Sequence, residues 1–135
     1  MSVSMKANGR YLLDTSIIID LLAGDQEVCQ RVALLNTLFV PSISLGELYY
    51  GAFKSQRVME NLERLEEFVR ENSIIPCDAR TAKIYGEMKN ALRSKGSLIP
   101  ENDIWIAAIA VQHGLTLLTR DAHFRQIDYL IAEYM

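Results

Sequence analysis

Four carboxylates stand where apolar runs give way to helical stretches: Asp14 in "YLLDTSIIIDLL", Glu47 in "SISLGELYYG", Asp103 in "PENDIWIAAIA" and Asp121 in "LLTRDAHF". An acid at a helix start has an ordinary use, because it accepts orphan backbone N–H bonds and complements the macrodipole for about 0.3–1 kcal/mol. Acids that converge on one point have another. Carboxylates within about 6 Å repel, so they raise one another's pKa or require a compensating cation. A set of carboxylates without histidine or cysteine suits Mg²⁺ or Mn²⁺ better than zinc. Such an ion can orient and activate water for in-line attack on a phosphodiester while neutralising charge in the transition state.

Short apolar runs alternating with helical stretches position these acids. Tyr11 to Asp14 is a short strand, followed by a helix from Thr15 or Ser16 that stops near Gly24. Asp25 caps a second helix to about Leu35, and a strand over Leu38 to Val40 ends at Pro41. Helices over Leu45 to Phe53 and Val58 to Arg70 follow, the first opened by a capping box of Ser44 and Glu47, the second striped by Leu62, Leu65, Phe68 and Val69. "SIIP", residues 73–76, is a third strand, and Asp78 caps a helix through about Ser94. "SKGSLIPEN" reads as a loop, Asp103 to His113 as a helix closed by Gly114, "LTLLT" as a fourth strand, "DAHFRQI" as a short helix and "YLIAE", residues 129–133, as an edge strand. The expectation is an α/β domain of three layers, α/β/α, on a mostly parallel sheet of four to five strands. Ligands bind such a sheet at the carboxyl ends of its strands. Asp14 and Asp121 end strands that should be neighbours, and Glu47 and Asp103 begin helices that point into the same cleft.

A chain of 135 residues supports one domain, read as residues 10–135, with "MSVSMKANG" as a frayed, disordered extension that lacks the features of a secretory signal. Half the residues are hydrophobic and 23% are charged, a globular profile, and no apolar stretch approaches the roughly 20 residues of a membrane helix. Cys29 and Cys77 lack CxxC spacing and read as small buried hydrophobes in a reducing cytoplasm. The net charge of −3, from 14 basic and 17 acidic side chains, gives no general attraction for nucleic acid. A polyanionic partner therefore needs a local basic patch or bound cations.

In this order and at these spacings, "LLDTSIIIDLL", "ISLGELYYG", "NDIWIAAIA" and "LLTRDAHF" resemble the PIN-domain nucleases, in particular the VapC-type toxins of bacterial toxin–antitoxin pairs. The resemblance runs from about Tyr11 to Glu133. It implies that Asp14, Glu47, Asp103 and Asp121 are a catalytic, metal-binding quartet, and that the protein is a Mg²⁺- or Mn²⁺-dependent endoribonuclease. It further implies a homodimer, inhibited by a cognate VapB-type antitoxin whose tail enters the active-site groove. Thr15, Ser16 and Thr119 match hydroxyl residues beside the acids of such proteins, where they either orient carboxylates or satisfy backbone. Asn102 either touches RNA or caps its helix.

Lys54, Arg57, Lys89, Arg93 and Lys95 are candidates for phosphate contacts, set against a merely solvated face; Arg93 and Lys95, on the loop approaching Asp103, come first. His113 suits a helix C-terminus, while His123 and Phe124 are expected to pack the last helix on the sheet. Trp105 either stacks on a base or packs an apolar face, and Tyr49 and Tyr50 face either a partner or solvent. Two other readings compete. An aspartyl-phosphate phosphohydrolase of the haloacid dehalogenase type places D-x-D after its first strand, and here Ser16 takes the second position. A catalytically inactive PIN-like binding module does not need an intact quartet.

Overall fold

A computed structural model describes residues 9–135 of the chain, so the extension expected over residues 1–9 lies outside the described residues except for Gly9. Five strands, β1 (Arg10–Leu13), β2 (Thr37–Pro41), β3 (Ser73–Ile75), β4 (Thr116–Thr119) and β5 (Ala132–Tyr134), form one sheet in the order β3-β2-β1-β4-β5. Every pairing is parallel, with Leu12 opposite Phe39 on one side and Leu117 on the other. The helices are α1 (Thr15–Leu22), α2 (Gln26–Ala33), α3 (Ser42–Phe53), α4 (Val58–Glu71), α5 (Ala79–Lys95) and α6 (Glu101–His113), with a 3₁₀ helix over Ala122–Gln126.

The period of two along a strand explains the three layers. Tyr11 and Leu13 face one way, into a core with Ile17, Ile18, Val28, Val40, Phe68 and Leu118, under α1 to α4. Leu12 and Leu117 face the other, into a core with Leu92, Ile106, Ile109 and Phe124, under α5 and α6. Among the described residues no helix is long and apolar enough to cross a membrane.

Capping chemistry sorts the acids. Asp25 accepts from the Val28 N–H at 3.1 Å, and Asp78 forms a full capping box with Thr81, as their positions predict. The box expected of Ser44 and Glu47 does not form, because α3 begins earlier, at Ser42 behind Pro41, and has no side-chain cap. Likewise α6 begins at Glu101, because the Pro100 carbonyl already accepts from the Asp103 and Ile104 N–H groups at 3.0 and 3.3 Å. Asn102 therefore sits inside the first turn, exposed, and does not cap it. Helix α5 runs on to Lys95 and stops at Gly96 in the left-handed conformation (φ 71°), so Arg93 and Lys95 belong to a helix end rather than to a loop.

Candidate active site

Asp14 stands between the end of β1 and the start of α1. Its backbone N–H continues the sheet ladder to the Leu118 carbonyl at 3.0 Å, which carries the residue to the carboxyl edge of β4. The side chain is buried, 3% exposed, and fully engaged. Oδ1 accepts from the Thr15 N–H at 2.8 Å, while Oδ2 accepts from the hydroxyls of Thr119 at 2.8 Å and Ser16 at 3.1 Å. Burial nevertheless pushes the Asp14 carboxyl above its ordinary pKa, against these lowering bonds and helped by the neighbouring charge of Asp121.

The other acids approach from three directions. Thr15 of α1 bonds both to Ser44, at 2.7 Å between hydroxyl oxygens, and to Glu47 Oε1, to which it donates at 3.0 Å. Ser44 is thus spent on tying α3 to α1, and Glu47 is aimed at the end of β1. Asp103 projects from the first turn of α6. Its carboxyl is pushed up to about 6, mainly by burial and then by the charge of Asp14, with a smaller push from Glu47 against the lowering pull of His123. Asp121 follows β4, with its backbone N–H donating to Thr119 Oγ1 at 2.9 Å. Arg120 beside it reaches Asp20, Asp25 and Glu27 at 2.9, 3.4 and 3.3 Å, tying this loop to α1 and the start of α2. Neither Asp103 nor Asp121 makes a side-chain capping bond, so the backbone-capping use of a helix-start acid accounts only for Asp14, while Asp103 in the first turn of α6 still complements that helix's dipole.

One side chain reaches this cluster unforeseen. His123, expected to pack against the sheet, touches Phe124 at a ring-centroid distance of 4.8 Å but turns its nitrogens to the acids. Nδ1 lies 2.8 Å from Asp121 Oδ1 and Nε2 lies 2.7 Å from Asp103 Oδ2. Asp103, Asp121 and His123 each offer a ligand atom, all within 4.8 Å of one another, a donor set that fits a divalent cation.

The remaining candidates are dispersed. Lys95 reaches the Gln126 carbonyl and Asp128, Arg57 pairs with Glu60, and Lys54 lies over the Tyr50 ring. Lys89 pairs with Glu101, and Arg93 is exposed near the end of α5. Trp105 stacks flat on Tyr85, centroids 4.0 Å apart, so that ring face is already occupied. His113 lies at the far end of α6 from Asp103. Cys29 and Cys77 are free and only half-buried.

The PIN-domain family model matches residues 11–130. The chain belongs to the PIN-domain family. A ribonuclease VapC2 of Rickettsia felis is 34% identical to this PIN domain over 128 residues, covering 91% of the chain and 96% of that protein. The tRNA(fMet)-specific endonuclease VapC of Shigella flexneri is 31% identical over 127 residues, covering 92% and 96%. Among solved structures, a chain of VapBC2 from Rickettsia felis, crystallised with a DNA fragment from its promoter, superposes with a TM-score of 0.87 at 32% identity, covering 93% of this PIN domain and 98% of that chain.

Proposed function

We propose that this protein is a Mg²⁺- or Mn²⁺-dependent endoribonuclease, the toxin of a VapBC-type pair, acting in the cytoplasm with Asp14, Glu47, Asp103 and Asp121 as its catalytic carboxylates. The observation that carries the reading is the crowding at the end of β1. Asp103 is held near a pKa of about 6 by burial and by the charges of Asp14 and Glu47, an arrangement that a divalent cation relieves. The bound ion supplies compensating charge and an acidified water for attack on phosphorus. The chain's own residues do the rest. Thr15, Ser16 and Thr119 fix the direction of the Asp14 carboxylate, Thr15 holds Glu47 beside it, and Thr119 holds the Asp121 backbone. Carboxylates fixed this way need no reorganisation when substrate arrives.

Partners follow from the surfaces around the site. An apolar groove of about 320 Å³, lined by Ile19, Leu22, Leu48, Ala52 and Leu65, opens between α1, α3 and α4 with Glu47 at its edge. Its chemistry suits the apolar face of an antitoxin segment, which would then lie against the carboxylates. Tyr50, Phe53 and Met59, each more than 60% exposed around the α3–α4 turn, suit a second copy in a homodimer. The RNA is read as a single-stranded loop of a structured molecule, in keeping with the tRNA named for the Shigella flexneri relative.

The test is cleavage of generic RNA with Mn²⁺, with EDTA, and by the Asp14→Asn variant. Cleavage is expected only by wild type with Mn²⁺. Full activity in EDTA would sink the metal-dependent reading.

A further inference from the structure

The half-buried imidazole between Asp103 and Asp121 has a geometry that packing does not explain. Phe124, 1% exposed, anchors the 3₁₀ helix in the core and leaves its neighbour His123 at the carboxylate cluster. His123 Nδ1, 2.8 Å from Asp121 Oδ1, is within reach of N–H donation. Assigning the proton to Nδ1 from this contact leaves Nε2 with a lone pair. Nε2 is buried and has no aligned hydrogen-bond partner, although Asp103 Oδ2 is only 2.7 Å away. Two electron-rich atoms side by side at this distance repel unless something positive, a proton on Nε2 or a bound cation, faces both. Neighbouring donors around an octahedral ion with bonds of about 2.0–2.1 Å are roughly 2.9 Å apart, near the 2.7 Å of this pair. A carboxylate that fixes the tautomer of an imidazole, with the other nitrogen turned to a metal, is a common arrangement in metal sites.

We propose that His123 is a metal-contacting residue of this site, its Nε2 joining Asp103 as a donor while Asp121 holds its Nδ1–H, and that it tilts the site from Mg²⁺ toward Mn²⁺. The inference rests on the divalent-metal reading above and adds a nitrogen to a set otherwise composed of carboxylate oxygens. Hard Mg²⁺ gains little from imidazole, whereas Mn²⁺ accepts it. His123 is thus a specificity-determining residue for the cofactor, and its effect appears in binding before any RNA is added.

The experiment loads the full-length wild-type protein with Mn²⁺ alone and records pulsed electron paramagnetic resonance. Modulation from a directly coordinated ¹⁴N is expected in wild type and absent in His123→Gln and His123→Ala. In equilibrium competition both variants should lose Mn²⁺ preference over Mg²⁺ by about tenfold, the lower end of the usual effect of altering a ligand's surroundings. Bound Mn²⁺ without nitrogen modulation in wild type overturns the proposal and leaves the carboxylate reading standing. Modulation that persists in both variants also overturns it. Failure of wild type to bind Mn²⁺ at all overturns the metal reading and this proposal together. Because the wild-type spectrum needs no substitution, misfolding of a variant does not obscure the answer.

Discussion

The Thr119 hydroxyl donates to Asp14 Oδ2 at 2.8 Å and accepts from the Asp121 N–H at 2.9 Å, so one fully buried side chain on β4 positions two acids from different strands. Thr119→Val keeps the shape and deletes both bonds. It should reduce RNA cleavage about 10- to 100-fold, the usual cost of losing a group that orients a metal ligand. It should also lower stability by about 1–3 kcal/mol, because a partly buried N–H and a buried carboxylate each lose a partner. Single-turnover cleavage and urea melts measure the two effects, and an unchanged rate would reduce Thr119 to a structural residue.

Asp103 makes the metal-free protein sensitive to pH. Its folded pKa of about 6 lies above the ordinary 3.8, so the folded state binds the proton more tightly than the unfolded state. The stability it contributes is therefore fully present below the unfolded value and is lost as pH rises through about 6. At roughly 1.4 kcal/mol per pH unit the loss is at most about 3 kcal/mol. In EDTA the wild-type melting temperature should fall between pH 4 and 7. Asp103→Asn should flatten that slope and melt several degrees higher at pH 7. A variant that melts lower at pH 7 would mean that the tie to His123 outweighs the repulsion.

The placement of Asp14, Glu47, Asp103 and Asp121 near one sheet edge was legible because they sit where local pattern speaks loudly, at the ends of short apolar strands and in the early turns of helices. The core was legible for the same reason, since Leu12 and its neighbours Tyr11 and Leu13 alternate between two buried faces. What escaped depends on contacts distant in the chain. Ser44 suggested a cap, but Thr15, 29 positions away, offered it a better partner. His123 next to Phe124 looked like packing, and only the approach of α6 turns its nitrogens into the site. The helix starts at Ser42 and Glu101 were missed because Pro41 and Pro100 supply extended backbone at the cap position without any side-chain signal.

Ile19 offers a clean separation of antitoxin binding from catalysis. It is 51% exposed on the rim of the apolar groove, so Ile19→Asp introduces no buried charge. The substitution should weaken capture by a cognate VapB-type antitoxin at least tenfold, since a charge within an apolar contact is left without a partner. RNA cleavage by the free toxin should stay within twofold of wild type. Co-expression rescue of growth and calorimetric titration would read the loss, and full rescue would move the docking face elsewhere.

The last prediction concerns how an acidic protein holds RNA. With a net charge of −3 there is little long-range attraction, so affinity must come from the ion and a few placed cations. Arg93 is exposed near the end of α5, one turn beyond Lys89, whose pairing with Glu101 fixes that end of α5 beside the start of α6. Lys95 is spent in part on Asp128, an exposed pair of little strength that leaves it able to exchange partners. In the Asp14→Asn background, expected to be inert in cleavage, Arg93→Glu should weaken RNA binding and reduce the slope of log affinity against log salt by about 0.7, the share of one phosphate on a single strand. Lys95→Glu should add a smaller loss, because it also gives up the tie to Asp128. Mn²⁺ affinity should not change in either. An unaltered salt slope in the double variant would place the RNA path along Lys54 and Arg57 instead.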